Sequence, residues 1–337
     1  MSENKIHLSS SPHFTEGLST QKVMLMVIIS MLPECIAGVM FFGAAALVRI
    51  LVSVASCVAF EGLYQKITKQ KIRISNLSAV VSGILLALVI PSTTPIWMVV
   101  LGALVAMVVA KGLFGGIGSN VFNPALTGRA FMFISFPAAM GACWFNPEID
   151  AVSGATILSQ IKNGAVTATP DLYMQYFLGN RAGCIGETSI LLILISFLFL
   201  FSTHIIDWRA PVAMVATTVL CTLVSGGDVL LALLTGGLLF GATFMVTDYA
   251  TAPLTGYGRL VFGFGCGLIT FLIRKLGGYP EGVMFSILIM NCFTPFLNNL
   301  TRRMYGYGKK GNRRPASPDR VQEFDVSNAV ERKEESK

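Results

Sequence analysis

The sequence predicts an all-α, polytopic membrane fold: about ten transmembrane helices in two inverted five-helix repeats. Three observations carry this. Of 337 residues, 53% are hydrophobic and 13% are charged, against about 25% charged in a soluble domain. Mean hydropathy is +0.67, so there is too little charge to coat a water-facing surface. The apolar residues also come in runs of the ~20 residues that a helix needs to cross the bilayer core. Backbone polar groups in lipid must be satisfied internally, so these runs read as helices rather than open sheet.

In chain order the runs begin near Lys22, Ala44, Leu77, Ile96, Asn123, Thr188, Trp208, Val229, Gly258 and Gly282. Those near Leu77 and Asn123 are short or interrupted. The segment ahead of them, residues 1–21, is polar. Because the first apolar run is of membrane-spanning length, that segment reads as a retained surface segment rather than a cleaved signal. Residues 22–137 form the first repeat, 138–187 a loop between repeats, and 188–301 the second repeat. Residues 302–337 are charged, poor in large apolar side chains, and read as a disordered tail.

The repeat is visible as two loose matches. "VSGILLALVIPSTTP" (Val81–Pro95) resembles "LTGGLLFGATFMVTDYATAPLT" (Leu234–Thr255), and "KGLFGGIGSNVFNPA" (Lys111–Ala125) parallels "RKLGGYPEGVMFS" (Arg274–Ser286). Five spans per half is an odd number, so the second half inserts upside down. Such folds bury a site near the midplane where Gly- or Pro-interrupted helices leave backbone groups free.

Net charge is +7, concentrated in two clusters: Lys66, Lys69, Lys71 and Arg73 between early spans, and Arg302 to Arg314 after the last. Basic loops stay cytoplasmic. Ten helices between cytoplasmic termini place both clusters inside and the 138–187 loop outside. Arg274 and Lys275 fall on the outer side of this scheme. The basic runs therefore read as topology, not nucleic-acid binding.

The seven cysteines contain no C-x-x-C pair, so no zinc or iron–sulfur signature is present. Cys143 and Cys184 flank the long loop, and whether they pair is left open. His13 and His204 have no third ligand in sight, and no metal is assigned. Glu34, in "SMLPECIAG", is either an ionisable group at membrane depth or a helix-end acid facing water. Asp248 and Glu281 sit at partner repeat breaks, where each either binds a cation or caps a helix. Glu61 is expected to pair with Lys66 on the surface.

Within the long loop lies "DAVSGAT" (Asp150–Thr156). Read alone, Ser153-Gly154-Ala155-Thr156 is a turn. The run also resembles the motif at which flavin transferases attach FMN, with an Asp three residues before Ser/Thr-Gly-Ala-Thr. The resemblance extends along most of the chain. "SSPHF" (Ser10–Phe14), "GGIGSNVFNPALTGRAF" (Gly115–Phe131) and "GGYPEGVMFSILIMN" (Gly277–Asn291) resemble segments of the membrane D subunits of Rnf complexes. That family also includes the B subunit of the sodium-pumping NADH:quinone oxidoreductase, whose longer N-terminal extension is missing here.

The resemblance implies a flavoprotein subunit of an ion-translocating ferredoxin:NAD oxidoreductase, coupled to Na⁺ or H⁺ and inactive alone. It implies FMN esterified through its phosphate to the Thr156 hydroxyl, with Asp150, Ser153, Gly154 and Ala155 forming the attachment motif. It further implies a noncovalent riboflavin in relatives, and partners that include a second FMN-bearing subunit, iron–sulfur subunits and an FMN transferase. Asn123 and Arg129 are candidates to contact a flavin ring or phosphate. A bacterial inner-membrane location follows, with the flavin loop outside the cytoplasm. The competing reading is an inverted-repeat transporter or channel without a redox role, which accounts for the spans but not for the Thr156 loop.

Overall fold

The computed structural model describes residues 19–141, 170–179, 183–235, 237–277 and 282–301. Asp150, Ser153, Gly154, Ala155, Thr156, Cys143, His13 and Glu281 lie outside them. The described residues are helical, with no strand among them. In the first half they form α1 (Thr20–Phe42), α2 (Ala44–Ile67), α3 (Ser78–Leu88), α4 (Ile96–Leu104), α5 (Pro124–Ser135) and α6 (Pro137–Gly141). The remainder are α7 (Pro170–Leu178), α8 (Ile190–Ser202), α9 (Arg209–Val224), α10 (Val229–Leu234), α11 (Leu238–Phe240), α12 (Gly256–Leu276) and α13 (Val283–Thr301). Each expected span has a helix starting within about two residues of its place, the usual spread of helix boundaries. Lengths differ more: α1, α2, α12 and α13 are long and apolar enough to cross a membrane. The other apolar helices are shorter, and α10 has only 6 residues.

The surface is that of a multi-pass membrane protein. Large apolar side chains face outward, among them Met40, Leu198, Leu220, Phe264 and Phe296. Hydroxyls turn inward and bond to their own helix. Thr217, Thr218, Thr222 and Thr270 each donate to the carbonyl four residues back. This inside-out polarity is what lipid selects, because a hydroxyl facing hydrocarbon has no water to bond.

Close approach of helices depends on small residues. A Cβ on Gly83 of α3 would come within 2.7 Å of the Val54 Cα on α2, and the Ser53 hydroxyl donates to the Gly83 carbonyl at 2.7 Å. On α12, Gly263 and Gly267 are four apart and seat directly on the Ala210 and Met214 carbonyls of α9. This is the small-xxx-small contact of membrane helices.

Helix α3 is buried on nearly every side and stops at a non-helical stretch, Val89–Pro95, inside the body. Irregular backbone at membrane depth must find partners within the protein. They come from the end of the loop that precedes α8. Ile185 N–H donates to the Ile90 carbonyl at 3.2 Å, and Gly186 N–H to the Leu88 carbonyl at 2.8 Å. Residues 184–189 are all buried, so this end of the loop is threaded into the core rather than laid on the surface.

Two helices change pitch. After Leu104, α4 continues as a π-helix over Val105–Gly112, and α11 continues as one over Gly241–Met245. Such π segments occur frequently at functional sites. These two both border the cavity described next.

Candidate functional site

A cavity of about 490 Å³ lies beside the start of α1. Its apolar walls include Val27, Leu85, Leu200 and Phe244, and its polar groups include Ser78, Lys111, Asn120, Asn123 and Asp248. Two of the helix breaks that the sequence marks contribute, through Gly118–Pro124 and Thr247–Ala250. The volume is within the ~300–1,000 Å³ of small-molecule sites.

Lys111, at the end of the first π segment, is 3% exposed. Its Nζ donates to Ser78 Oγ at 2.6 Å and lies 2.8 Å from Glu61 Oε1. Ser78 Oγ in turn donates to Asn76 Oδ1 at 2.8 Å, and Asn76 also accepts from the Ser78 N–H at 3.0 Å. Gln65 Nε2 donates to the same Glu61 oxygen at 3.4 Å. The expected Glu61–Lys66 surface pair is therefore corrected: Glu61 faces inward and its cation is Lys111. The reason is depth. A lysine within an apolar span must find an acid at its own level, and Glu61 on the facing helix is that acid. Glu61 also lines a second, polar cavity of about 340 Å³ with Gln65, Lys71, Arg73 and Gly116. The ion pair thus stands between two cavities.

Asn123 caps α5, accepting from the Leu126 N–H at 3.2 Å, with Pro124 at the first helical position. Pro there needs no N–H partner, which is why Asn-Pro reads as a helix start. Its Nδ2 reaches Asp248 Oδ2 at 3.5 Å. Asp248 also accepts from the Thr251 hydroxyl at 3.0 Å. Asp248 therefore does not cap a helix but organises the turn after the second π segment. Asn123 and Asp248, 125 residues apart in sequence, join the two breaks.

Arg129 is buried elsewhere, outside the cavity walls. Its guanidinium lies 3.7 Å from Glu187 Oε1 and 3.4 Å from Cys184 Sγ. The Cys184 Sγ donates to the Val89 carbonyl at 3.0 Å. Arg129 thus ties α5 to the threaded loop end. A Cβ on Gly237, which adopts φ +62°, would collide with the Glu187 carboxylate. Gly237→Ala combines left-handed strain with displacement of that acid, and is expected to cost at least ~1 kcal/mol. The check is the thermal midpoint in detergent. It should fall further than in Gly116→Ala, where φ is also positive but nothing lies within 4 Å of the added Cβ.

Arg274 is one of the two charges that the sequence-based scheme leaves on the outer side. It is buried, and donates to the Ala232 carbonyl at 2.9 Å and the Thr235 carbonyl at 3.1 Å. A cation held on helix-end carbonyls completes α10 rather than marking a cytoplasmic loop. His204 is exposed with φ 54°. Among the described residues no group of three or more His, Cys, Asp and Glu side chains could hold a metal.

The sequence is matched over residues 7–306 by the profile of the NQR2, RnfD, RnfE family. It is 41% identical over 313 residues to the D subunit of the Na⁺-translocating ferredoxin:NAD⁺ oxidoreductase complex of Acetobacterium woodii, covering 92% of this chain and 98% of that one. To the D subunit of the proton-translocating ferredoxin:NAD⁺ oxidoreductase complex of Clostridium ljungdahlii it is 38% identical, covering 89% and 96%. The D subunit of the ion-translocating oxidoreductase complex of Escherichia coli is 34% identical, with 90% and 99% covered. With the profile and all three relatives aligned along nearly the whole sequence, the chain belongs to the NQR2, RnfD, RnfE family.

Proposed function

We propose that this chain is the flavin-bearing membrane subunit of an ion-translocating ferredoxin:NAD oxidoreductase complex, relaying electrons through FMN esterified to Thr156. The observation that carries this is "DAVSGAT" (Asp150–Thr156) in a chain related end to end to proteins named as D subunits of such complexes. A flavin accepts electrons singly or in pairs, which suits a relay between carriers. Thr156 supplies the hydroxyl oxygen of the phosphoester. Gly154 and Ala155 leave room for a transferase, and Asp150 and Ser153 complete the attachment motif. A tether on the outer face keeps the ring from being lost and fixes its distance to neighbouring carriers.

The proposed architecture has ten spans in two inverted repeats, with cytoplasmic termini and the flavin loop outside. It is supported by the order of elements. In the first half α1 and α2 are followed by α3, the break Val89–Pro95, α4 with its π continuation, and α5; in the second, α8 and α9 are followed by α10, α11 with its π continuation, the break Thr247–Pro253, α12 and α13. The cavity of about 490 Å³ suits a second, noncovalent flavin such as riboflavin. Apolar walls would cover the ring faces, while Lys111, Asn120 and Asn123 would bond its polar edge. The other partners are the remaining subunits, including a second FMN-bearing subunit and iron–sulfur subunits, with Na⁺ or H⁺ as the coupling ion.

Expression with the matching FMN transferase, followed by denaturing electrophoresis, tests the attachment. The wild-type band should fluoresce, and Thr156→Ala should remove the signal completely while the protein still enters the membrane. A dark wild-type band would refute the proposal.

A further inference from the structure

Glu34 takes part in none of the contacts above. It lies in the middle of α1, about 21 Å from the helix start at 1.5 Å per residue, and is 2% exposed. Neither carboxyl oxygen has a hydrogen-bond partner among the described residues. The Ser196 hydroxyl beside it donates instead to the Ser30 carbonyl at 2.7 Å. The Ser30 hydroxyl turns back to the Val27 carbonyl at 2.7 Å.

Among the described residues no counter-charge faces Glu34. Helices α3 and α8, which pack on α1, contain no ionisable side chain. On α2, Arg49 is occupied by the Thr94 and Ala45 carbonyls, and Glu61 by Lys111. Lys66 is at the far end of α2, and Lys22 is in the first turn of α1, three turns from Glu34. The threaded loop end, which meets α1 at Gly38 through Ile185, brings Glu187, and that acid faces Arg129. Cys35, its neighbour in sequence, is the one titratable side chain found interacting with Glu34 among the described residues.

The carboxyl is nevertheless connected to the cavity. Val27 on α1 and Leu200 on α8 line the cavity wall. One turn further along each helix stand Ser30 and Ser196, and Glu34 is one turn beyond Ser30 on the same stripe. Pro33 cannot donate to the Ile29 carbonyl, which leaves another oxygen on this turn. A line of oxygens thus leads from the cavity into the membrane interior and ends at a carboxyl.

An ionised carboxylate at that depth without a partner costs several kcal/mol, so the group holds a cation. Hard metal cations need a shell of oxygen ligands. Two carboxyl oxygens, the Ile29 carbonyl and an already committed serine hydroxyl are fewer than such a shell requires, whereas a proton needs a single oxygen. We propose that Glu34 is a proton-binding site inside the membrane, loaded and unloaded through the cavity beside the start of α1. This deepens the ion-translocating reading and rests on it for its role in transport; the binding itself does not.

Dicyclohexylcarbodiimide tests the binding, because it requires the acid proton. The carboxyl oxygen adds to the carbodiimide carbon, the proton goes to nitrogen, and the product rearranges to a stable N-acylurea. The full-length protein in detergent is treated and mapped by peptide mass spectrometry. The expected result is an adduct on Glu34, lost in Glu34→Gln and equal in NaCl and choline chloride. Absence of the adduct from folded wild-type protein overturns the proposal. So does an adduct suppressed by Na⁺ and not by choline, which would make this a sodium site. The reaction needs no flavin, so a failed flavin proposal and a failed proton site are told apart.

Discussion

Lys111→Met is expected to destabilise the protein by about 3–5 kcal/mol, the usual consequence of stranding one member of a buried ion pair. The Lys111 and Glu61 side chains are 4% and 7% exposed and 2.8 Å apart. Once the ammonium is gone, Glu61 keeps only the longer bond from Gln65 Nε2 at 3.4 Å. Ser78 loses its cationic donor as well, and with it one of the contacts that hold the start of α3. Adding Glu61→Gln should recover much of the loss, because the double variant buries no unpaired charge. The two effects should be strongly non-additive. Thermal unfolding of the purified protein in detergent, measured for both singles and the double, reads this out. Additive losses would mean that the pair is not coupled in the folded state.

The second large effect is steric. Gly263→Ala places a methyl against the Ala210 carbonyl, which is backbone and cannot swing aside. Helices α9 and α12 must then separate along their tightest seam, at about 1–3 kcal/mol for overpacking. Gly265→Ala is the internal control. It is on the same helix, but its new methyl would meet the end of the Met290 side chain, which is flexible and adapts. A clear drop in thermal midpoint for Gly263→Ala, with little change for Gly265→Ala, is expected. Equal losses would place the cost in helix flexibility rather than in the seam.

Helix starts are readable from sequence because their signals are local. Asn123-Pro124 marks α5 through the fixed φ of proline and the amide cap. Gly43, at φ 69°, separates α1 from α2 where two apolar runs nearly touch. The breaks at Pro91–Pro95 and Thr247–Pro253 are visible for the same reason, and both border the cavity or its neighbouring core.

What the sequence hides is tertiary. The Glu61–Lys111 pair joins helices far apart in the chain, and nothing in the local pattern favours it over Glu61–Lys66 except depth in the membrane. The π segments carry no composition of their own, since Val105–Gly112 reads as ordinary helix. The burial of residues 184–189 answers the unsatisfied backbone of the break after α3, a partner about 95 residues away that no local pattern marks. Arg274 resembles a topology marker because its carbonyl partners, Ala232 and Thr235, are themselves remote in sequence.

The direct test is the intact mass of protein purified from a cell that also makes the FMN transferase, followed by fragmentation of the loop peptide. A mass increase equal to FMN less one water, localised to Thr156, is the predicted result. An unmodified polypeptide would contradict it, and would leave the helical body and its cavity to be explained as a carrier or pore.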